Sequence, residues 1–142
     1  MEENCGNIVY KVTIAYDGTA FAGFQSQANA KELPTIQDAL EEKLLFVFAR
    51  PISIRVAGRT DAGVHALGQV FSFRTDVDRS EQVLFNALNS LLPDTIKVLS
   101  ISKEPDYFHA RFTARAREYE YLIKDNSAVD PFFRDRILYV KQ

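Results

Sequence analysis

Apolar and polar positions alternate over 8–16, IVYKVTIAY, which puts Ile8, Tyr10, Val12, Ile14 and Tyr16 on one face and predicts a β-strand. The following DGTAFAGFQSQ reads as a glycine-containing loop in which Phe21 and Phe24 fit no period. At Thr35 the spacing becomes helical. Thr35 and Asp38 stand at capping-box distance, with Asp in the place usual for Glu, and Ile36, Leu40, Leu44 and Val47 form one stripe. Pro51 ends this helix, and period two returns in ISIRVA, where Ile52, Ile54 and Val56 face one way. GQVFSFRT is a further strand. Ser80 or Asp78 then caps a second helix, EQVLFNALNSLL, with Val83, Leu84, Ala87, Leu88 and Leu91 as its buried stripe. Pro93-Asp94 stops it, and TIKVLSI reads as a fourth strand.

The order β-α-β-β-α-β is that of a ferredoxin-like α+β domain, also found in RNA-recognition modules. Right-handed crossovers put both helices on one face of a four-stranded antiparallel sheet and leave the other face for something else. After Lys103 the pattern changes. EPDYFHARFTARAREYEYLIKD begins as a loop and becomes a fifth strand in which Arg117, Tyr119, Tyr121 and Ile123 share a face. SAVDPFFRD is a loop, and RILYVKQ is a sixth strand. The expected organisation is a first domain over 1–104 and the start of a second, truncated domain over 105–142.

Composition narrows the class without naming the chemistry. Hydrophobic residues make up 46% and charged residues 25%, as in ordinary globular domains. No apolar run approaches the roughly 20 residues that span a bilayer. The acidic, polar MEENCGN is unlike a secretory signal. Cys5 is the only cysteine, which excludes an internal disulfide and a cysteine-based zinc cluster. These points lead us to expect a cytoplasmic protein that does not bind membranes. A net charge of −2 argues against unspecific adhesion to nucleic acid. The arginines are nevertheless clustered: Arg50, Arg55, Arg59, Arg74 and Arg79 in the middle of the chain, then Arg111, Arg115 and Arg117.

The candidate chemistry lies in VAGRTDAGVHALGQ, 56–69, between two strands. The connection is roughly ten residues long against about two to five for a usual hairpin, and long loops tend to carry function. Gly58, Gly63 and Gly68 allow it to bend. Asp61 admits two readings: a turn residue bonding its own backbone, or a nucleophile kept ionised by Arg59 beside it. Arg59 in turn suits either that ion pair or a phosphate. His65 and His109 form no metal-ligand pair and read as hydrogen-bonded structural histidines. GxSxG, GxxxxGKS and GxGxxG are all absent, which argues against serine-hydrolase, ATP and NAD chemistry. Tyr119 and Tyr121 suit either packing or stacking on an unpaired base, and Phe71 with Phe73 resembles, weakly, the aromatic pair of RNA-recognition sheets.

Taken together, AGRTDAGVHALGQV, DYFHARFTARAREYEY, YDGTAFAGFQSQ and TIQDAL resemble the TruA-type family of tRNA pseudouridine synthases over nearly the whole chain. The resemblance implies that Asp61 is the catalytic aspartate. Arg59 would pair with it or help hold a flipped nucleotide, and Tyr119 would stack on the target uracil. It further implies that Arg111 lies in the RNA-binding cleft, with Tyr121, His65, Gly58 and Gly63 in support. The implied reaction needs no cofactor and no metal. The implied partner is the tRNA anticodon stem-loop, and the full-length relatives are homodimers. Three departures stand out. Phe24 replaces a frequent Trp, Glu118 sits where a basic residue is common, and the family chain is nearly twice as long. Its second half completes the cleft, so 142 residues alone imply little or no turnover. The competing reading is a module that binds RNA without altering it.

Overall fold

A computed structural model describes residues 8–26, 33–125, 130–133 and 136–140. The acidic N-terminus and Cys5 lie outside the described residues. Strand β1, Ile8–Tyr16, is the centre of the fold because its alternation is fully used: Tyr10, Val12, Ile14 and Tyr16 are buried on one face. It pairs antiparallel with β3, Ala66–Thr75, on one side and with β4, Ile96–Glu104, on the other. The short β2, Arg55–Val56, joins the free edge of β3, giving the order β2-β3-β1-β4. With helices α1, Ile36–Phe48, and α2, Glu81–Leu91, this is the expected α+β ferredoxin-like arrangement.

Both helices pack into one cluster. Ile36, Leu40, Leu44 and Phe48 of α1 and Leu84 and Leu88 of α2 join the buried face of β1 and β3. The fourth position of the α1 stripe is thus Phe48 rather than Val47, which is only partly buried. Phe48 meets Phe73 edge-on at 5.7 Å, and Phe73 stacks on Tyr10 at 5.2 Å. Thr35 caps α1 as expected, its hydroxyl accepting from Asp38 N at 3.1 Å, a bond worth about 1 kcal/mol. Helix α1 ends earlier than Pro51, at Ala49, which takes a left-handed φ of 56°. Ser80, not Asp78, caps α2. Val83 is 55% exposed, so the α2 stripe is narrower than its apolar residues suggest.

Side chains of the helices complete the sheet where strand pairing stops. Glu41 accepts from Ile54 N at 3.1 Å, which explains why only Arg55–Val56 of ISIRVA is paired although Ile52 and Ile54 are buried. Asn89 gives and accepts a backbone bond with Val98, at 3.0 and 2.8 Å, and Glu81 accepts from Lys103 N at 3.1 Å. These bonds occupy groups on the exposed edge of β4. Phe71 and Phe73 lie inside this core, 0% and 2% exposed, so they are no RNA-stacking platform. The helices cover the face they point to.

The opposite face is crossed by the chain after β4. Ala110 N donates to the buried Ser72 hydroxyl at 3.0 Å, Arg74 pairs with Asp106 at 2.7 Å, and the Lys11 ammonium lies 6.0 Å from the centre of the Phe108 ring. Beyond this, regular structure is sparser than the alternation of tyrosines predicts. The fifth strand shrinks to β5, Ile123–Lys124, and the sixth to β6, Leu138–Tyr139, paired in parallel. Tyr119 and Tyr121 lie on irregular chain, 62% and 87% exposed, because nothing among the described residues packs on them as a sheet partner.

His109 is a structural histidine, as expected, and its turn anchors Ala110 on the sheet. Its Nδ1 accepts from Arg111 N at 3.1 Å and Phe112 N at 3.3 Å. Burial first, then the charges of Arg55, Arg111 and Arg74, holds its pKa below the usual value. The lowered pKa means the unfolded chain binds this proton more tightly. The contribution of His109 to stability is therefore complete above about pH 6.5 and is lost as the pH falls through the lower folded value. Unfolding free energy measured from pH 8 to 5 is expected to lose part of its acid slope in His109→Asn, which keeps an acceptor but cannot titrate. An unchanged slope would contradict this role.

Candidate active site

The loop 57–65 connects β2 to β3. It is held against the end of β1 and the turn that follows. Gly18, in the 3-10 turn Gly18–Ala20, touches it so closely that a Cβ there would lie 2.0 Å from Val64 O. Gly23, at φ 86°, brings its Cα up to the other side, where a Cβ would meet Thr60 O at 2.9 Å. Backbone bonds cross the same gap, with Phe24 N donating to Thr60 O at 3.1 Å and Gly63 N to Phe21 O at 3.4 Å, while Val64 N turns back within the loop to Asp61 O at 3.1 Å. The loop closes at Gly63, whose φ is 79°. Gly68 does no comparable bending: it sits where β3 carries an extra residue, between the pairs Ile14↔Gln69 and Tyr16↔Ala66.

Side chains pin the rest of the loop. Tyr16 and Thr60 share a hydroxyl–hydroxyl bond of 2.7 Å, and Gln69 Nε2 donates to Gly58 O at 2.7 Å. His65 Nδ1 accepts from Gly18 N at 3.0 Å, so its 3.2 Å approach to Asp17 is not a second hydrogen bond. Asp17 accepts from the hydroxyl and amide of Thr19, and Arg136 lies 2.9 Å away. The Thr19 bonds first, and the charges around it second, hold the Asp17 carboxyl below the usual carboxylate range.

Thr60 points inward, while Arg59 and Asp61 on either side of it are exposed. Both line an open depression with Ala22, Gly23, Gln25, Thr60 and Ala62. An Arg59–Asp61 ion pair, one of the two readings of Arg59, is absent among the described residues. The reason is solvation, since two exposed charges gain at most about 1 kcal/mol by pairing. Asp61 is therefore neither a residue bonding the turn amides nor half of a salt bridge; its carboxylate is uncommitted among the described residues. No group of His, Cys, Asp or Glu suited to a metal occurs among them.

The chain after β4 reaches this loop through Arg117. Its Nε donates to Ala57 O at 2.7 Å and its Nη2 to Arg111 O at 3.1 Å. Gly58 leaves room for the Tyr119 hydroxyl, which a Cβ there would meet at 3.1 Å. Asp61, Arg59, Gly58, Gly63, His65 and Tyr119 thus come together around one loop. Arg111 adjoins them by its carbonyl only, and its guanidinium lies over Phe112, 5.8 Å from the ring centre. Tyr121 makes no contact with the loop that brings it into the group. Sequence reasoning passed over Gly18, Gly23, Tyr16, Thr60, Gln69 and Arg117. Only the density of glycines in YDGTAFAG hinted at the first two, as sites of close backbone approach.

A family model described as tRNA pseudouridine synthase matches residues 12–113, which include the loop and its supports. The chain is 43% identical over 137 residues to tRNA pseudouridine synthase A of Methylacidiphilum infernorum, covering 96% of this chain and 52% of the relative. It is 45% identical over 113 residues to the protein of that name from Thermodesulfovibrio yellowstonii, covering 80% and 43%. With that of Shewanella loihica the figures are 50% over 110 residues, 78% and 41%. The chain spans about half the length of the curated relatives it matches.

Gly18→Ala is expected to displace the loop, because Val64 backbone cannot yield the space a Cβ needs. Amide hydrogen exchange should then lose protection at Phe24 and Val64 while the helices keep theirs. Retained protection at both amides would contradict the close approach.

Proposed function

The chain belongs to the tRNA pseudouridine synthase family, and we propose that the protein isomerises uridine to pseudouridine in tRNA with Asp61 as nucleophile. The observation that carries the reading is an exposed carboxylate, uncommitted among the described residues, on a loop whose backbone is bonded or packed at Gly58, Thr60, Asp61 and Val64. A fixed loop spends no free energy on ordering when substrate arrives, and a carboxylate without a protein partner is available for bond formation.

The reaction breaks the N1–C1′ bond, turns the base and joins C5 to C1′; the proton on C5 leaves and N1 gains one. Atoms and electrons balance without an oxidant or a group donor. Asp61 adds either to C1′ of the ribose or to C6 of the ring, and its departure releases the product. The uridine must leave its stack first, at a cost of a few kcal/mol. Tyr119 receives the base by stacking, worth about 1–3 kcal/mol; its hydroxyl beside Gly58 and its largely exposed ring support this role. Arg59 shares the depression with Asp61 and offers a charge to the nucleotide's phosphate. Arg111, at the rim, extends the basic surface, and Tyr121 supports Tyr119.

The substrate region in this reading is the anticodon stem-loop and the setting the cytoplasm. Residues 105–142 begin a second domain that completes the cleft, and the whole protein acts as a homodimer. The exposed Tyr121, Ile123, Phe132 and Leu138 of that segment are consistent with a missing partner surface.

Tritium release from tRNA labelled at uridine C5 tests the reading. The protein encoded by the complete reading frame should release tritium, and Asp61→Asn should lower the rate by about 10³-fold or more while still binding tRNA. Normal release by Asp61→Asn would remove Asp61 as nucleophile. RNA binding with no release by any form would favour the binding module. The 142 residues alone should bind RNA weakly and turn over little.

A further inference from the structure

Beside Asp61 lies a polar network of which only Thr60 lines the depression; Gln69 and Tyr16 do not. Gln69 is oriented by both ends of its amide: Oε1 accepts from Val70 N at 3.2 Å, so Nε2 faces Gly58 O at 2.7 Å and the Tyr16 hydroxyl at 3.4 Å. Tyr16, receiving from Gln69, also shares a hydroxyl–hydroxyl bond with Thr60 Oγ1 at 2.7 Å. Thr60 is also held by its carbonyl, which accepts from Phe24 N at 3.1 Å. Tyr16 is 4% exposed and ends the central strand β1, which is paired on both sides.

We infer that Tyr16 and Gln69 are positioning residues for Asp61, acting through Thr60 and Gly58. The inference rests on the proposed role of Asp61. Residues 59 and 61 are exposed on either side of residue 60, whose hydroxyl is bonded inward to Tyr16, its one side-chain partner among the described residues. Gly58 is fixed on the other flank of Arg59 by Gln69. Removing the Tyr16–Thr60 bond leaves the fold's apolar core and the Thr60 carbonyl bond intact but lets the Thr60 side chain, and with it the aim of Asp61, shift. A misplacement of about 1 Å costs about 10²-fold in rate, whereas RNA affinity spread over many phosphates should barely respond.

The test is a set of variants of the protein encoded by the complete reading frame, assayed for kcat and for tRNA Kd. Tyr16→Phe and Thr60→Val should each lower kcat by about 10- to 100-fold with Kd within about two-fold. Their combination should be no worse than the poorer single variant, because both delete one bond. Thr60→Ser, which restores the hydroxyl, should recover kcat to within about three-fold. Unchanged kcat in Tyr16→Phe and Thr60→Val, a loss confined to Kd, or a Thr60→Ser variant as slow as Thr60→Val would overturn the inference. If Asp61→Asn is inactive while those variants are unaffected, the positioning role alone fails. If Asp61→Asn turns over normally, both it and the proposed function fail.

Discussion

The backbone of the loop 57–65 rests directly on the backbone that follows β1, and the site depends on that contact. It requires two residues without side chains, Gly18 and Gly23, facing Val64 and Thr60 across gaps a methyl group would fill. It also requires β1 to stay put. That strand is flanked on both sides and buried along one face; its register shifts between Thr13 and Ile14 against β4 and between Ile14 and Tyr16 against β3, where it meets the loop. Bulges near a strand end re-aim side chains, and here Tyr16 is turned towards Thr60. The helices fill the face beneath, and Ala110 closes the face above over Ser72.

Stability and chemistry are thereby separated in space. The aromatic core of Tyr10, Phe48, Phe71 and Phe73 and the leucines of both helices supply burial. The loop adds almost no apolar area and is ordered by hydrogen bonds and steric fit. Its charged groups, Arg59 and Asp61, stay in solvent, where neither is consumed by the other. An uncommitted carboxylate on an ordered backbone is costly only if it is buried, and this one is not. Arg117 links the loop to the later chain, bonded to carbonyls on both segments.

Much of this was legible in the residues. Strict alternation marked β1, the Thr35 cap marked α1, and the order of elements led to the correct sheet. Those features are local, so sequence carries them. Features set by distant contacts were not legible. Phe21 and Phe24 have no period because they fill the space beside the loop, and both are buried. Val83 fits the helical stripe but faces solvent, since only Leu84 and Leu88 of α2 are fully buried. Gly18 is required by a residue 46 positions away, as the two numbers show. The pairing of Arg59 with Asp61 failed for the opposite reason: adjacency in sequence says nothing of the inward-turned threonine between them. Tyr119 and Tyr121 alternate like a strand, yet strand structure needs a neighbour that the described residues do not provide.

The most direct measurement is a crystal structure of the protein encoded by the complete reading frame with a uridine-containing anticodon stem-loop. The expected result is an extruded uridine whose C1′ or C6 lies about 3–3.5 Å from an Asp61 carboxylate oxygen, with the Tyr119 ring against the base and the loop backbone unmoved. A uridine still stacked in the RNA, or an Asp61 carboxylate turned into the loop's own amides while another group faces the ribose, would contradict the account.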